Sequence, residues 1–159
     1  MPPVTTALIV ACTALATGIS MNLAGGTHHA FPDHGEGFCV FNDVAVAIRL
    51  LRRDGLVRRA AVVDLDVHQG NGTHAIFADD DDVYTFSMHG GKNYPFHKVA
   101  GTLDVELADG TGDDEYLDAV AKETLRIRPV VFDVGRVLKE PVELAGYHLP
   151  AGVMVVPGI

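Results

Sequence analysis

The sequence has no tryptophan and only two cysteines, Cys12 and Cys39, among 159 residues. Two thiols without CxxC spacing build neither a disulfide framework nor a zinc knuckle, and they fit a reducing, cytoplasmic compartment. Long apolar runs are missing too. The stretch Ala7 to Ala16 is interrupted by Thr13 and has no basic segment ahead of it. It falls well short of the roughly 20 apolar residues a membrane span needs. It reads as an amphipathic helix rather than a secretory signal or an anchor, and no membrane partner is expected. Positive charge is scarce: 12 Lys and Arg against 21 Asp and Glu leave a formal net charge of -9. Such a surface repels nucleic acid, so direct nucleic-acid binding is not expected.

What remains is a globular composition, 48% hydrophobic and 21% charged, in a chain the length of one ordinary domain. The acids concentrate at Asp79 to Asp82 and between Asp104 and Asp118. Both runs read as solvated surface, compatible with a cationic substrate such as a lysine-rich tail or a polyamine.

The pattern along the chain alternates helix and strand. Residues 6–17 read as a helix stopped by Gly18, and 20–25 (SMNLAG) as a short buried strand entering the loop GGTHHAFPDHGEGF. A second helix starts at Asn42 or Asp43, either a good N-cap, with the stripe Val44, Ala47, Ile48 and Leu51 on one face. Arg52, Arg53 and then Gly55 close it. AAVVDLD (60–66) reads as a strand covered on both faces. A short helix around 73–78 leads to a third strand, 82–89. This order predicts an α/β fold with a parallel sheet and helices on both sides, its site beyond the C-terminal ends of the strands. Polar clusters fall at those ends: His28 and His29, then Asp64, Asp66 and His68, then Ser87 and His89. Seven of the eight histidines lie between residues 28 and 97.

Asp64-Leu65-Asp66-Val67-His68 alternates polar and apolar residues, so an extended chain would send 64, 66 and 68 to one side. Two carboxylates and an imidazole there suit a catalytic zinc, which takes three protein ligands and leaves a position for water. A strand end with two solvated aspartates is the plainer alternative, because short motifs recur by chance. The His28-His29 pair weighs against it. It follows Gly25-Gly26, where backbone can approach a ligand closely, and one ring could take a proton while the other stabilises charge. Asp/His ligation accepts Fe2+ as well as Zn2+.

GGTHHAFPDHGEGFCVFNDVAVA, DLDVHQGNGT and VYTFSMHG, in that order and spacing, resemble three signature blocks of the zinc-dependent histone deacetylase superfamily. The likeness covers about residues 8–118 and is nearest to the class IV branch and its prokaryotic relatives. The resemblance implies a three-layer α/β/α sandwich of the arginase/deacetylase type, here a partial one. It also implies that Asp66 and His68 are two of the three zinc ligands and that His29 is the general base. His28 would be its electrostatic partner, held by Asp64, and Asn71 would orient His29 where other branches use an aspartate. Gly37 and Phe38 would line an acyl-lysine tunnel, with Tyr94 on the facing wall. Asp64, Asp66, His68, Ser87 and Met88 would form a site for K+ or Na+. The substrate implied is an acetylated lysine peptide or a small acetylated amine. Cys39 reads as a small hydrophobe rather than a reactive thiol. The resemblance is silent on oligomeric state.

The family's third metal ligand and its oxyanion tyrosine belong to a later segment. Here RPVVFDVG imitates the next strand, but Arg136-Val137 stands where the family has Ala-Asp, and Asp133 is the one residue placed to substitute. Residues 116–159 resemble instead a fragment of the haem-thiolate monooxygenase cytochromes. Glu123-Thr-Leu-Arg126 stands for their Glu-x-x-Arg helix, and a C-terminal helix and β-hairpin are expected. Their haem-ligating cysteine is not in the sequence, so no haem is expected. These readings divide the chain into a partial deacetylase-like domain (1–118) and a tail (119–159), with a gene junction near residues 116–122. A deacetylase domain cut in this way is expected to be marginally stable and incompletely equipped for turnover, with a non-catalytic remnant as the alternative.

Overall fold

The computed structural model describes residues 3–23, 25–127, 136–137, 141–144, 147–149 and 154–155. They form two compact units, residues 1–111 and 112–159.

The first unit opens with helix α1 (Pro3–Thr17). Pro3 suits a first turn, where its missing N–H would be unpaired anyway. Thr13 lies within the helix, its hydroxyl donating to the Ile9 carbonyl at 2.8 Å. Ala7, Val10 and Ala11 of α1 face Val44, Ala47, Ile48 and Leu51 of α2 (Asp43–Arg53), the stripe expected from the sequence. Asn42 caps α2, its side chain accepting from the Ala45 amide at 3.0 Å.

Strand β1 (Ala60–Asp64), helix α3 (Asn71–Phe77), strand β2 (Val83–Gly90) and strand β3 (Leu103–Leu107) follow. The three strands form one parallel sheet in the order β1-β2-β3. Ala45 and Ile48 of α2, Ile76 and Phe77 of α3, Ala60 of β1 and Val83 of β2 make the apolar core. Arg49 and Arg52 of α2 grip Asp80 at 3.0 and 2.5 Å, tying the helix to the turn before β2.

Several sequence expectations change. Residues 20–23 and 25 are not a strand, and Met21 and Leu23 are 78% and 92% exposed. A strand exists only through a ladder, and none among the described residues pairs with that segment. β1 is not covered on both faces. Its burial alternates and Val63 is 54% exposed, because α2 and α3 cover one side. α3 starts two residues earlier than expected. β3 was not foreseen at all: its acidic text reads as surface, yet it completes the sheet beside β2. Asp80 and Asp104 are likewise anchors rather than solvated charges.

The second unit contains α4 (Asp113–Ile127), whose first turn carries Asp113, Asp114 and Glu115 against the helix dipole. Short strands β4 (Arg136–Val137), β5 (Val142–Leu144), β6 (Tyr147–Leu149) and β7 (Met154–Val155) pair antiparallel, β5 with β6 and β4 with β7. The expected helix and hairpin are present. Asp133 lies outside the described residues. Among the described residues no helix is long and apolar enough to cross a membrane.

Candidate active site at the ends of the parallel strands

The loop after Gly25 is clamped before it reaches its histidines. Buried Asp43 accepts from the amides of Gly26 (3.2 Å) and Thr27 (2.9 Å) and from the Thr27 hydroxyl (2.9 Å). On the other side the Thr73 amide donates to the His28 carbonyl at 3.0 Å. Asn42 bridges to Thr73 at 2.9 Å. Gly72 lets α3 approach: a Cβ there would stand 2.3 Å from the Ala30 carbonyl oxygen.

This clamp delivers His28 and His29 side by side, ring centroids 4.1 Å apart. Each imidazole is held through Nδ1 by a different partner. His28 Nδ1 is 2.6 Å from Asp64 Oδ2, at the C-terminal end of β1. His29 Nδ1 is 2.8 Å from Asn71 Oδ1, at the start of α3. The unlike partners push the two rings apart in acidity. Burial opposes protonation of His28, but the hydrogen bond and charge of Asp64, with Asp66 behind, outweigh it and raise its pKa. His29 is lowered: burial outweighs the hydrogen bond to Asn71, and the neighbouring His28 and His68 push the same way as burial.

Beyond Asp64 the chain turns instead of continuing extended. The Asp66 amide donates to Asp64 Oδ1 at 3.0 Å and the His68 amide to Asp66 Oδ1 at 2.8 Å, successive Asx turns. The turns still bring Asp66 and His68 together, with His68 Nδ1 3.1 Å from Asp66 Oδ1. Both side chains are about half exposed, at 51% and 43%, and the His68 ring lies 5.9 Å from His29. Tyr94 stands edge-on to both rings, 5.0 Å from His29 and 6.1 Å from His68. Its hydroxyl donates to Glu36 Oε1 at 2.5 Å, which pushes its pKa up to about 12.

Gly37 and Phe38 form the tip of a tight turn in which the Glu36 and Cys39 backbones pair. Both have positive φ, 55° and 63°, the signature of a type I′ turn. Gly37 lies under His29, and the Phe38 side chain is fully exposed. Ser87 pairs with Asp64 in the β1–β2 ladder, and its hydroxyl meets buried His89 Nδ1 at 3.0 Å. Met88 is buried beside it.

Of the seven clustered histidines, His28, His29 and His68 converge. Buried His74 holds the Val99 carbonyl at 2.9 Å, and exposed His34 holds Asp33. Two participants escaped the sequence reading. Glu36 accepts from Asn71 Nδ2 at 3.0 Å as well as from Tyr94, and buried Gln69 ties the 99–104 segment to the strand ends through Val99 and Asp104. A cavity of about 680 Å3 lies between the 31–41 loop and α2, but none of the converging histidines lines it.

Among the described residues no group of three His, Cys, Asp or Glu side chains is placed to hold a metal ion. Asp66 and His68 do fit as two ligands of one ion. Donors about 2.1 Å from a tetrahedral zinc stand roughly 3.4 Å apart, close to the observed 3.1 Å.

A parallel α/β sheet with paired, separately braced histidines and an Asp/His pair at its strand ends defines a protein of the arginase/deacetylase fold. The chain belongs to the histone deacetylase family: residues 4–131 match the Histone deacetylase domain. It is 51% identical over 114 residues to an uncharacterised protein of Picosynechococcus, covering 72% of this chain and 38% of that one. It is 38% identical over 117 residues to a histone deacetylase-like amidohydrolase of Pseudomonas aeruginosa, covering 64% and 31%. The crystal structure of a histone deacetylase homologue from Aquifex aeolicus superposes with a TM-score of 0.69 at 30% identity, over 80% of this chain and 38% of that one. The same figures hold for a homologue complexed with SAHA. This chain thus spans less than half the length of these relatives.

Residues 113–159 match the Cytochrome P450 family. A cytochrome P450 of the 135B1 type from Mycobacterium tuberculosis is 69% identical over 62 residues, 39% of this chain and 13% of that one.

Proposed function

We propose that this chain carries the proton-transfer and metal-binding half of a metal-dependent deacetylase that hydrolyses acetyl-lysine or an acetylated amine. One observation carries the reading: adjacent imidazoles are braced by unlike partners, so that His28 favours its proton and His29 gives it up. Pairs of titratable groups driven apart by their surroundings are how one site performs acid and base work at one pH.

Asp66 and His68 would hold the metal, zinc or iron, with a third ligand from outside the described residues. When bound, it supplies Lewis acidity and an acidified water. His29, neutral near pH 7 with Nε2 free, takes the proton of the attacking water and returns it to the departing amine. His28, whose protonated form Asp64 favours, would stabilise the negative charge that builds on the substrate oxygen. Gly37, Phe38 and Tyr94 would border the entry of the acyl chain. Asp64, Ser87 and Met88 would bind a structural K+ or Na+, a reading supported by the ladder pairing of Asp64 with Ser87.

A non-catalytic remnant is the second reading, favoured by the two-residue metal pair. A chimeric origin of the chain, with a junction near residues 116–122, remains part of our proposal, supported by the overlapping deacetylase and cytochrome matches. The test is turnover of an acetyl-lysine amide by zinc-loaded protein, with metal content measured alongside. Turnover that His29→Ala abolishes supports the deacetylase; turnover that survives it removes His29 from the chemistry. Weak or no zinc binding without turnover supports the remnant.

A further inference from the structure

We infer that Glu36 is a positioning residue that fixes the tautomer of His29 through the Asn71 carboxamide. The inference rests on reading His29 as the base, but its test does not depend on turnover.

A primary amide has two unlike ends, an accepting oxygen and a donating nitrogen, and turning it over costs almost no change in shape. Something must therefore decide which end of Asn71 faces His29. Glu36 decides it. An ionised carboxylate only accepts, so the end of Asn71 lying 3.0 Å from Glu36 Oε1 has to be Nδ2. Oδ1 is then left facing His29 Nδ1 at 2.8 Å, and an oxygen there accepts only from an N–H. The proton of neutral His29 is forced onto Nδ1, and the Nε2 lone pair is left for the site.

Tyr94 completes the device. Its hydroxyl donates to the same Oε1 at 2.5 Å. This bond comes first among those holding the Glu36 carboxyl below its usual range, with Asn71 adding to it against partial burial. Glu36 therefore stays an obligate acceptor. Were it lost, the amide could turn, its NH2 would face Nδ1, and the proton would shift to Nε2, blocking the base. The negative charge that would otherwise sit directly on His29 is held one residue further away.

The experiment is a long-range 1H–15N correlation on the full chain with 15N-labelled histidine, the His29 ring assigned by its disappearance in His29→Ala. Wild type should show His29 protonated on Nδ1. Glu36→Ala should shift a large share of His29 to Nε2–H. Glu36→Gln, which keeps an accepting oxygen, should restore much of the Nδ1–H form. Asn71→Asp sets two carboxylates face to face, and adding Glu36→Gln to it restores a donor–acceptor match. Both the double variant and Asn71→Asp alone still present only an accepting oxygen to Nδ1, so both should keep the Nδ1–H signature that Glu36→Ala loses. In turnover assays Glu36→Ala should lower kcat by at least about tenfold with KM little changed. Wild-type His29 carrying its proton on Nε2, or His29 unmoved in a folded Glu36→Ala variant, overturns the inference. A tautomer shift in Glu36→Ala combined with full activity of His29→Ala would leave the positioning role intact and remove the functional reading instead.

Discussion

Gly37 lies so close beneath the His29 imidazole that a Cβ placed on it would stand 2.4 Å from ring carbon Cδ2. No real Cβ tolerates such a distance, and the residue's φ of 55° penalises any side chain as well. Gly37→Ala should therefore push the His29 ring off Asn71, costing about 2–4 kcal/mol of stability and essentially all turnover. A thermal melt read beside the deacetylation rate checks both. An active, equally stable Gly37→Ala protein would contradict the packing described.

Phe38 sits next to it with φ at 63° and its ring wholly in solvent. A left-handed phenylalanine is strained by about 1–2 kcal/mol, strain that glycine would not carry. Phe38→Gly should leave the melting temperature unchanged or slightly higher while raising KM for an acylated peptide. A lower melting temperature would mean that the ring packs against something in solution.

The histidine pair predicts two pH dependences of opposite sense. His29, its pKa lowered by burial first, loses its proton below the ordinary imidazole range, so the acid limb of the rate profile should lie there. His28 has a raised folded pKa through Asp64. Its contribution to stability is complete below the unfolded imidazole value and disappears as pH rises through the folded one. Chemical denaturation from pH 5 to 9 should show that loss in the wild type and not in His28→Asn.

Asp43 is predicted to be a stability residue rather than a reactive one. It is buried and accepts three hydrogen bonds from Gly26 and Thr27. Asp43→Ala strands those donors and should cost about 2–4 kcal/mol. The His28–His29 loop should loosen with it, seen as faster amide exchange at residues 26–30.

Asp80 offers a contrast at the other end of the sheet. The hydrogen bond from Arg52 is the first cause of its lowered pKa. Its contribution is present above the unfolded carboxyl value and fades as pH falls through the folded one. Because Arg49 is half exposed, Asp80→Asn should cost only about 1 kcal/mol near neutral pH, measured by urea denaturation.

Legibility in the sequence followed the range of the interaction. α2 was readable residue by residue, because its stripe, its Asn42 cap and its terminal arginines are local signals. The histidine pair and the Asp-x-Asp-x-His run were visible as text, and the fold brings them to one place. β3 was missed because five residues, two of them acidic, become a strand only when β2 offers a free edge. Residues 20–23 and 25 failed for the converse reason: apolar text with no ladder to join among the described residues. Glu36 was invisible as a partner, since 35 residues separate it from Asn71 and 58 from Tyr94, and no periodicity marks such a meeting.

β2 has a parallel neighbour on each edge, and six of its eight residues are buried. Its amides can exchange with solvent only when the whole sheet opens, whereas the loop carrying His28 and His29 is fastened largely by side chains and opens at lower cost. Heat should therefore silence the chemistry before it melts the protein: warmed gently, the chain would keep its far-ultraviolet spectrum while its rate falls, and recover that rate on cooling.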